Sequence, residues 1–291
     1  MQVHLVDGTY ELFRHFYGMP DDTRQTSRLG GVRGVLETLL ALIGEGATHL
    51  GVATDHVIES FRNDLWPGYK SSEGMDAQIL AQFGPLEDAI ASLCVHVWAM
   101  TDVEADDAIA SAAAVAADDA AVERVVILSP DKDLAQCVRG TRVVQIDRRQ
   151  AKTYDEAGVV AKFGVPPASI PDWLALVGDS ADGFPGLPGW GAKTASAVLA
   201  AHGHLADIPD APGQWKVTVR GAPKLAATLA AGREAAELFL ELATLRVDRS
   251  LLDSVGALAW TGPTDGFPLM AERVGAPHLA DRARALAHRR R

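Results

Sequence analysis

Cysteine is nearly absent from this 291-residue chain: Cys94 and Cys137 are the only two. A disulfide framework is therefore excluded, and a reducing cytoplasm is the expected compartment. There is no CxxC pair, and the nine histidines are scattered without an HExxH. Both absences speak against a zinc centre. A G-x-S-x-G elbow is missing too, which leaves a Ser-His-Asp hydrolase unsupported. No window approaches eighteen uncharged apolar residues, so no membrane-spanning helix and no membrane partner are expected. Asp7 and Glu11 fall where a secretory signal needs its apolar stretch. Solenoid repeats are lacking. Positive charge is also scarce: 27 Lys and Arg against 38 Asp and Glu give a net charge of −11. Taken alone, that sum argues against a nucleic-acid partner. Carboxylates gathered around metal ions would give the same sum while leaving basic strips elsewhere, so the positions of the acids decide.

What is present reads as an ordinary folded chain, 48% hydrophobic and 22% charged. At about 150 residues per domain, the length suggests two domains. Val3 to Val6, His49 to Thr54, Leu93 to Trp98, Val125 to Leu128 and Arg142 to Ile146 have strand character. Between them, Leu36 to Ile43 and the alanine-rich Asp106 to Ala117 have helical spacing. Strands alternating with helices predict an α/β domain with a mostly parallel sheet flanked by helices. Beyond Pro166, strand patterns become scarce. Pro166, Pro167 and Pro171 open a helix, and Gly178 to Gly191 is a Gly- and Pro-rich loop. Helical patterns follow at Lys193 to Ala201, Pro223 to Ala231 and Glu234 to Leu245. A smaller helical domain is expected there. The basic end, RARALAHRRR, reads as a solvated, frayed helix end.

The acids fall at strand ends. Asp7 follows Val6, Asp55 follows Thr54, and Asp131 follows Leu128 after a Ser-Pro turn. In an open parallel sheet, ligands bind outside the carboxyl ends of the strands. Glu104, Asp106 and Asp107 open the alanine-rich helix; acids there complement the helix dipole, yet one suffices for that. Asp133 repeats the pattern beside Asp131, and Asp179 and Asp182 lie at the start of the Gly-rich loop. If several of these nine carboxylates converge, their mutual repulsion demands counter-charge. Mg²⁺ fits such a set best, because it takes carboxylates together with waters and substrate phosphate.

The loop Gly186-Leu-Pro-Gly189-Trp-Gly191-Ala-Lys193-Thr194 runs into a helix. It fails as a Walker A loop, because Ala192 separates Gly191 from Lys193 and the preceding element is helical. What remains is helix, glycine hairpin, helix. Such a hairpin lets backbone N–H groups and Lys193 approach a phosphate, which suits a nucleic-acid backbone held without sequence choice. The alternative is a plain helix connector, but four glycines with a lysine favour the phosphate reading.

These motifs together resemble a bacterial 5′-3′ exonuclease of the flap endonuclease superfamily, similar to the N-terminal nuclease domain of DNA polymerase I. The resemblance is carried by LVDG (Leu5 to Gly8), SFR (Ser60 to Arg62), GYK (Gly68 to Lys70) and EADD (Glu104 to Asp107). It continues in SPDKDLAQ (Ser129 to Gln136) and GDSADGFPGLPGWGAKTA (Gly178 to Ala195), in the family's order, over roughly residues 1 to 250. It implies a PIN-like catalytic domain at 1–162 and a helix-three-turn-helix (H3TH, SAM-fold-like) DNA-binding domain at 163–255. A C-terminal extension with the basic tail fills 256–291.

The resemblance further implies a divalent-metal-dependent 5′-3′ exonuclease and structure-specific 5′-flap endonuclease acting in replication or repair. Asp7, Asp55, Glu104, Asp106, Asp107, Asp131, Asp133, Asp179 and Asp182 are then the candidate ligands of two Mg²⁺ (or Mn²⁺). Arg62 and Lys70 are expected at the reacting phosphate. Arg14, Arg33, Tyr69, Gly186, Gly189, Gly191, Lys193 and Thr194 are expected on DNA. Arg24 and Arg28 lie in the same basic stretch as Arg14 and Arg33. The hairpin would hold K⁺. Partners are DNA with 5′ ends, flaps, nicks or gaps, and RNA primers on DNA; the chain is expected to be a monomer. No polymerase module follows, so a stand-alone enzyme is expected. There are departures. Ser71-Ser72-Glu73 stands where relatives place another basic residue, and Gly183 where they have Asn. From His56 to Met100 only Arg62 and Lys70 oppose six acids, which weakens the case for a gateway that threads single strands. The competing readings are an inactive relative that binds branched DNA and a PIN-type ribonuclease.

Overall fold

The apolar runs become strands in the computed structural model, which describes residues 1–290. The strands are β1 (Gln2–Asp7), β2 (His49–Asp55), β3 (His96–Met100), β4 (Arg124–Leu128), β5 (Val143–Asp147) and β6 (Lys152–Tyr154). Two units divide the chain. One comprises Met1–Ile58, Ser72–Ser129 and Val247–Arg291; the other comprises Glu59–Ser71 and Pro130–Arg246.

In the first unit, β3, β2, β1 and β4 lie side by side in that order, all parallel. Val3, Leu5, Val6, Val52, Val125 and Ile127 are all buried. Such uninterrupted apolar runs are what strands covered on both faces require. Helices Gly8–Tyr17, Gly30–Gly44, Phe83–Ser92 and Ala105–Asp118 belong to this unit. The Ala105–Asp118 helix buries Ala108, Ala112, Ala113 and Ala116, small side chains that allow close approach. The Gly30–Gly44 helix starts earlier than the Leu36–Ile43 periodicity indicates. Its glycines are fitted to neighbours: a Cβ on Gly34 would lie 2.3 Å from the His15 ring. Strand β3 starts later than expected. Leu93 and Val95 donate to the carbonyls of Ala89 and Ile90, closing the preceding helix, and Cys94 takes φ 60°.

The carboxyl-terminal segment corrects the expectation of a frayed end. Trp98 Nε1 donates to Leu251 O at 2.7 Å, and Trp260 Nε1 donates to Leu93 O at 2.8 Å. The helix His278–His288 follows. Arg290 then donates to the carbonyls of Ile43 and Ala47, each at 2.6 Å, and lies 5.1 Å from the Trp260 ring centre. A cation at a helix carboxyl end satisfies carbonyls that the helix leaves open.

The second unit contains the antiparallel β5–β6 hairpin and helices Phe61–Leu65, Glu156–Phe163, Ile170–Val177, Ala192–His202, Ala222–Ala231 and Arg233–Ala243. Its core gathers Trp173, Leu174, Phe184, Leu187, Trp190 and Phe239. Among the described residues, no strand follows Tyr154. The helical character read beyond Pro166 is therefore present in the fold.

Candidate metal centre

Two turns of the second unit bring three carboxylates together. The first is the DKD segment, where Asp131 Oδ1 accepts the Asp133 N–H at 3.0 Å. A 3₁₀ helix then runs from Asp133 to Cys137 and turns Asp133 inward. The second is the turn after Ile170–Val177. The N–H groups of Gly183 and Phe184 both donate to Asp179 O, and Asp179 N–H donates to Phe184 O. Gly183 stands at φ +83°, and a Cβ there would lie 2.0 Å from Gly68 O. A side chain at this position would collide with the Gly68 carbonyl, so close backbone packing accounts for the glycine. This turn sets Asp179 and Asp182 on one side. Ligand oxygens of Asp133, Asp179 and Asp182 lie within 4.8 Å of one another, and all three residues are buried.

Asp133 tests whether this group suits a cation. Its Oδ1 is buried and has no hydrogen-bond partner. Burial, followed by the charges of Asp131, Asp182 and Asp179, raises its pKa well above the ordinary carboxylate value; Lys70 opposes them. A buried, unpaired carboxylate beside like charges is unfavourable unless a proton or a cation joins it. The donor set is all oxygen, which suits a hard divalent ion.

The sign of the pH dependence follows. Without metal, folded Asp133 keeps a proton that the unfolded chain releases near the ordinary carboxylate pKa. Stability should therefore fall as pH rises from that value through the raised one. A divalent ion must displace the proton, so Mn²⁺ affinity should weaken as pH falls. Calorimetric titration in buffers of different ionisation enthalpy should report proton release. Identical heats in all buffers would contradict it.

The remaining acids belong to the first unit, where they hold local structure. Asp7 ends β1 and caps the next helix: Oδ1 accepts Tyr10 N–H at 2.8 Å, and Oδ2 accepts the Ser129 hydroxyl at 2.8 Å. Asp55 ends the neighbouring β2. Its Oδ1 accepts Ala105 N–H at 2.8 Å, while its own N–H donates to Thr9 Oγ1 at 2.9 Å. Glu104 caps the alanine-rich helix, and Asp107 Oδ2 accepts the Glu104 N–H at 2.9 Å in a reciprocal capping box. Asp107 is 1% exposed, so its carboxylate is engaged in capping; Asp106 is half-buried. Among the described residues, these five do not form a carboxylate group as close as that of the second unit.

The basic residues divide in two. Lys70 Nζ lies 3.1 Å from Asp182 Oδ1, and Lys70 N–H donates to Asp182 O at 3.0 Å. Lys70 is thus at the carboxylates, as expected. Arg62 requires a correction: it is 1% exposed, with Nε donating to Leu242 O at 2.8 Å and Nη2 to Thr244 O at 3.1 Å. Its guanidinium donates to these backbone carbonyls and lies 4.6 Å from the Phe61 ring centre. Tyr69 also requires correction, because it is buried in the core of the second unit, where a base cannot stack on it. Arg14 donates to buried Glu11 and to Thr38, and Arg33 is 3.9 Å from Glu37. Arg24 pairs with Asp21.

The glycine hairpin joins Ile170–Val177 to Ala192–His202. Gly186 stands at φ +67°, and a Cβ there would be 2.4 Å from Gly178 N, so this glycine is required by backbone packing. Gly189 stands at φ +86°. A Cβ on Gly191 would meet nothing within 4 Å, so packing does not account for this glycine. Lys193 is exposed and Thr194 half-buried in the first turn of the following helix. Reading the sequence missed Ser129, which holds Asp7, and Lys132, whose Nζ lies 2.5 Å from Asp179 Oδ2. The only signal for either was membership in the SPDKD run.

Similarity to known proteins identifies the family and the fold. Residues 2–164 match the 5′-3′ exonuclease N-terminal resolvase-like domain, and residues 165–265 match the 5′-3′ exonuclease C-terminal SAM fold. DNA polymerase I of Pseudomonas aeruginosa is 36% identical over 259 residues, covering 85% of this chain and 27% of that protein. DNA polymerase I of Mycobacterium leprae is 33% identical over 214 residues, covering 71% of this chain and 23% of that protein. The chain thus spans about a quarter of the length of these curated relatives. A structure of T5 5′-exonuclease with bound zinc has a TM-score of 0.67 at 18% identity, covering 99% of both chains. The catalytic core of Rad2 in complex with DNA substrate has a TM-score of 0.66 at 14% identity, covering 98% of this chain and 90% of that one. With more than half of its length matching the N-terminal domain and most of the rest the C-terminal one, the chain belongs to the 5′-3′ exonuclease family.

Proposed function

We propose that the chain hydrolyses DNA phosphodiester bonds from 5′ ends and at 5′ flaps, with divalent metal, in replication or repair. The observation that carries this reading is the buried Asp133, Asp179 and Asp182 group, whose Asp133 oxygen lacks a partner. In this reading these three and Asp131 hold metal, and Asp7, Asp55, Glu104 and Asp106 of the first unit serve the same reaction. Two Mg²⁺ or Mn²⁺ ions, when bound, supply an activated water and stabilise the leaving oxygen. Ser129 and the Tyr10 N–H fix the orientation of Asp7, and the Ala105 N–H fixes that of Asp55. Lys70, held beside Asp182, offers its ammonium to a phosphate oxygen.

Residues 1–162 act as the catalytic part, residues 163–255 hold DNA, and residues 256–291 are an extension. Gly189, Gly191, Lys193 and Thr194 lie at the start of Ala192–His202, where free N–H groups and the helix dipole favour a phosphate. K⁺ in the hairpin would add charge there. Arg24 and Arg28 line one cavity of the first unit with Arg273, a further place for backbone phosphate. The protein acts as a cytoplasmic monomer on flaps, nicks, gaps and RNA primers. The test is cleavage of a 5′-labelled flap duplex in Mg²⁺ or Mn²⁺. We expect short 5′-phosphorylated products that vanish with chelator. No cleavage of flap, nicked or blunt DNA under either metal would overturn the reading, and cleavage of RNA alone would favour a ribonuclease.

A further inference from the structure

Asp179 already has a cation. Its Oδ1 accepts the Ala181 N–H at 2.9 Å, and its Oδ2 faces Lys132 Nζ at 2.5 Å. Both oxygens of this buried carboxylate are therefore engaged. The ammonium and a divalent ion thus compete for the charge of Oδ2. The two lysines at this group differ in how they are held. Lys70 is tied at its backbone, its N–H to Asp182 O and its carbonyl to Asn63 Nδ2, and its ammonium sits at 3.1 Å. Lys132 has a side chain 38% exposed, against 2% for Asp179. It also borders an open cavity of about 480 Å³, lined by Gly178, Ser180, Gly183, Phe184 and Pro185. A long flexible side chain can swing its charge into that space.

We propose that Lys132 is a tethered counter-ion of Asp179: it neutralises the carboxylate when no divalent ion is bound, yields to that ion, and thereby sets the metal affinity. The inference rests on the metal-binding reading above. Lys132 is a positioning residue, because it acts on Asp179. The monovalent ammonium offers one charge at one oxygen, whereas a divalent ion offers two charges shared among Asp133, Asp179 and Asp182. The exchange is therefore downhill once metal is present, but each binding event must first break the Lys132–Asp179 pair. Removing the ammonium removes that competition.

The experiment is Mn²⁺ titration of the full chain, followed by calorimetry and by the electron paramagnetic resonance of free Mn²⁺. Wild type is compared with Lys132→Met, Lys132→Gln and Lys132→Arg. We expect the Met and Gln variants to bind Mn²⁺ about tenfold more tightly, and Arg to stay near wild type because it keeps the charge. Without metal, the Met and Gln variants should melt below wild type, with the gap closing at saturating Mn²⁺. Equal or weaker Mn²⁺ affinity in both neutral variants would overturn the inference and leave the metal site standing. Tightening by Arg as large as by Met would also overturn it. Absence of Mn²⁺ binding in every protein would instead defeat the metal reading itself.

Discussion

Replacing Asp133 and Asp179 together with asparagine is expected to lower flap cleavage by about 10³-fold or more, while duplex binding stays within about threefold. Asparagine keeps the shape of each side chain but removes two of the charges in the buried group. About 4 kcal/mol lost from the transition state is enough for such a drop. Duplex affinity rests on positive groups elsewhere, so removing acids should not weaken it. Asp133→Asn alone should be more stable than wild type in chelator, since the burial and repulsion at Asp133 are relieved while the Lys132–Asp179 pair stays. Rates measured under single turnover, with binding by fluorescence anisotropy, separate the two effects. Equal losses in binding and cleavage would show that these residues hold DNA.

Arg62→Ala is expected to destabilise the fold by about 3 kcal/mol, which separates Arg62 from Lys70. The substitution leaves the carbonyls of Leu242 and Thr244 without their donor and removes a buried guanidinium beside Phe61. Unmet buried carbonyls cost about 1–3 kcal/mol each. Arg62→Lys should rescue little, because an ammonium cannot reproduce a planar fork that spans two carbonyls. Lys70→Ala should leave stability within about 1 kcal/mol of wild type, because this side chain is part-exposed. Urea denaturation monitored by tryptophan fluorescence gives both values. An Arg62→Ala protein as stable as wild type yet inactive would return Arg62 to the reacting phosphate.

The contrast between those two residues marks what the sequence could carry. Arg62 and Lys70 stand eight residues apart in family motifs of similar look. Nothing local distinguishes an arginine that ties down two carbonyls 180 and 182 positions away from a lysine beside a carboxylate. Strand ends were legible because parallel strands buried on both faces leave long apolar runs that stop at an aspartate, as at Val6-Asp7 and Thr54-Asp55. The alanine-rich helix and the hairpin between two helices were legible for similar local reasons.

The Gly30–Gly44 helix was only partly legible: helical spacing shows from Leu36 onward, whereas the glycines before it clear space for His15 and Leu12. Arg290 looked like a solvated tail because its carbonyl partners lie at Ile43 and Ala47, far off in the chain. Among the acids, composition marked all nine, but only tertiary structure sorts Asp107, a capping partner, from Asp133, whose oxygen is left open. The DKD spacing showed two carboxylates and hid the lysine between them, whose charge serves Asp179.

The most direct measurement is anomalous diffraction from Mn²⁺-soaked crystals of the full chain. A manganese peak within ligand distance of oxygens of Asp133, Asp179 and Asp182 is expected, with the Lys132 ammonium withdrawn from Asp179. A saturated crystal with no anomalous peak among those three carboxylates would contradict it.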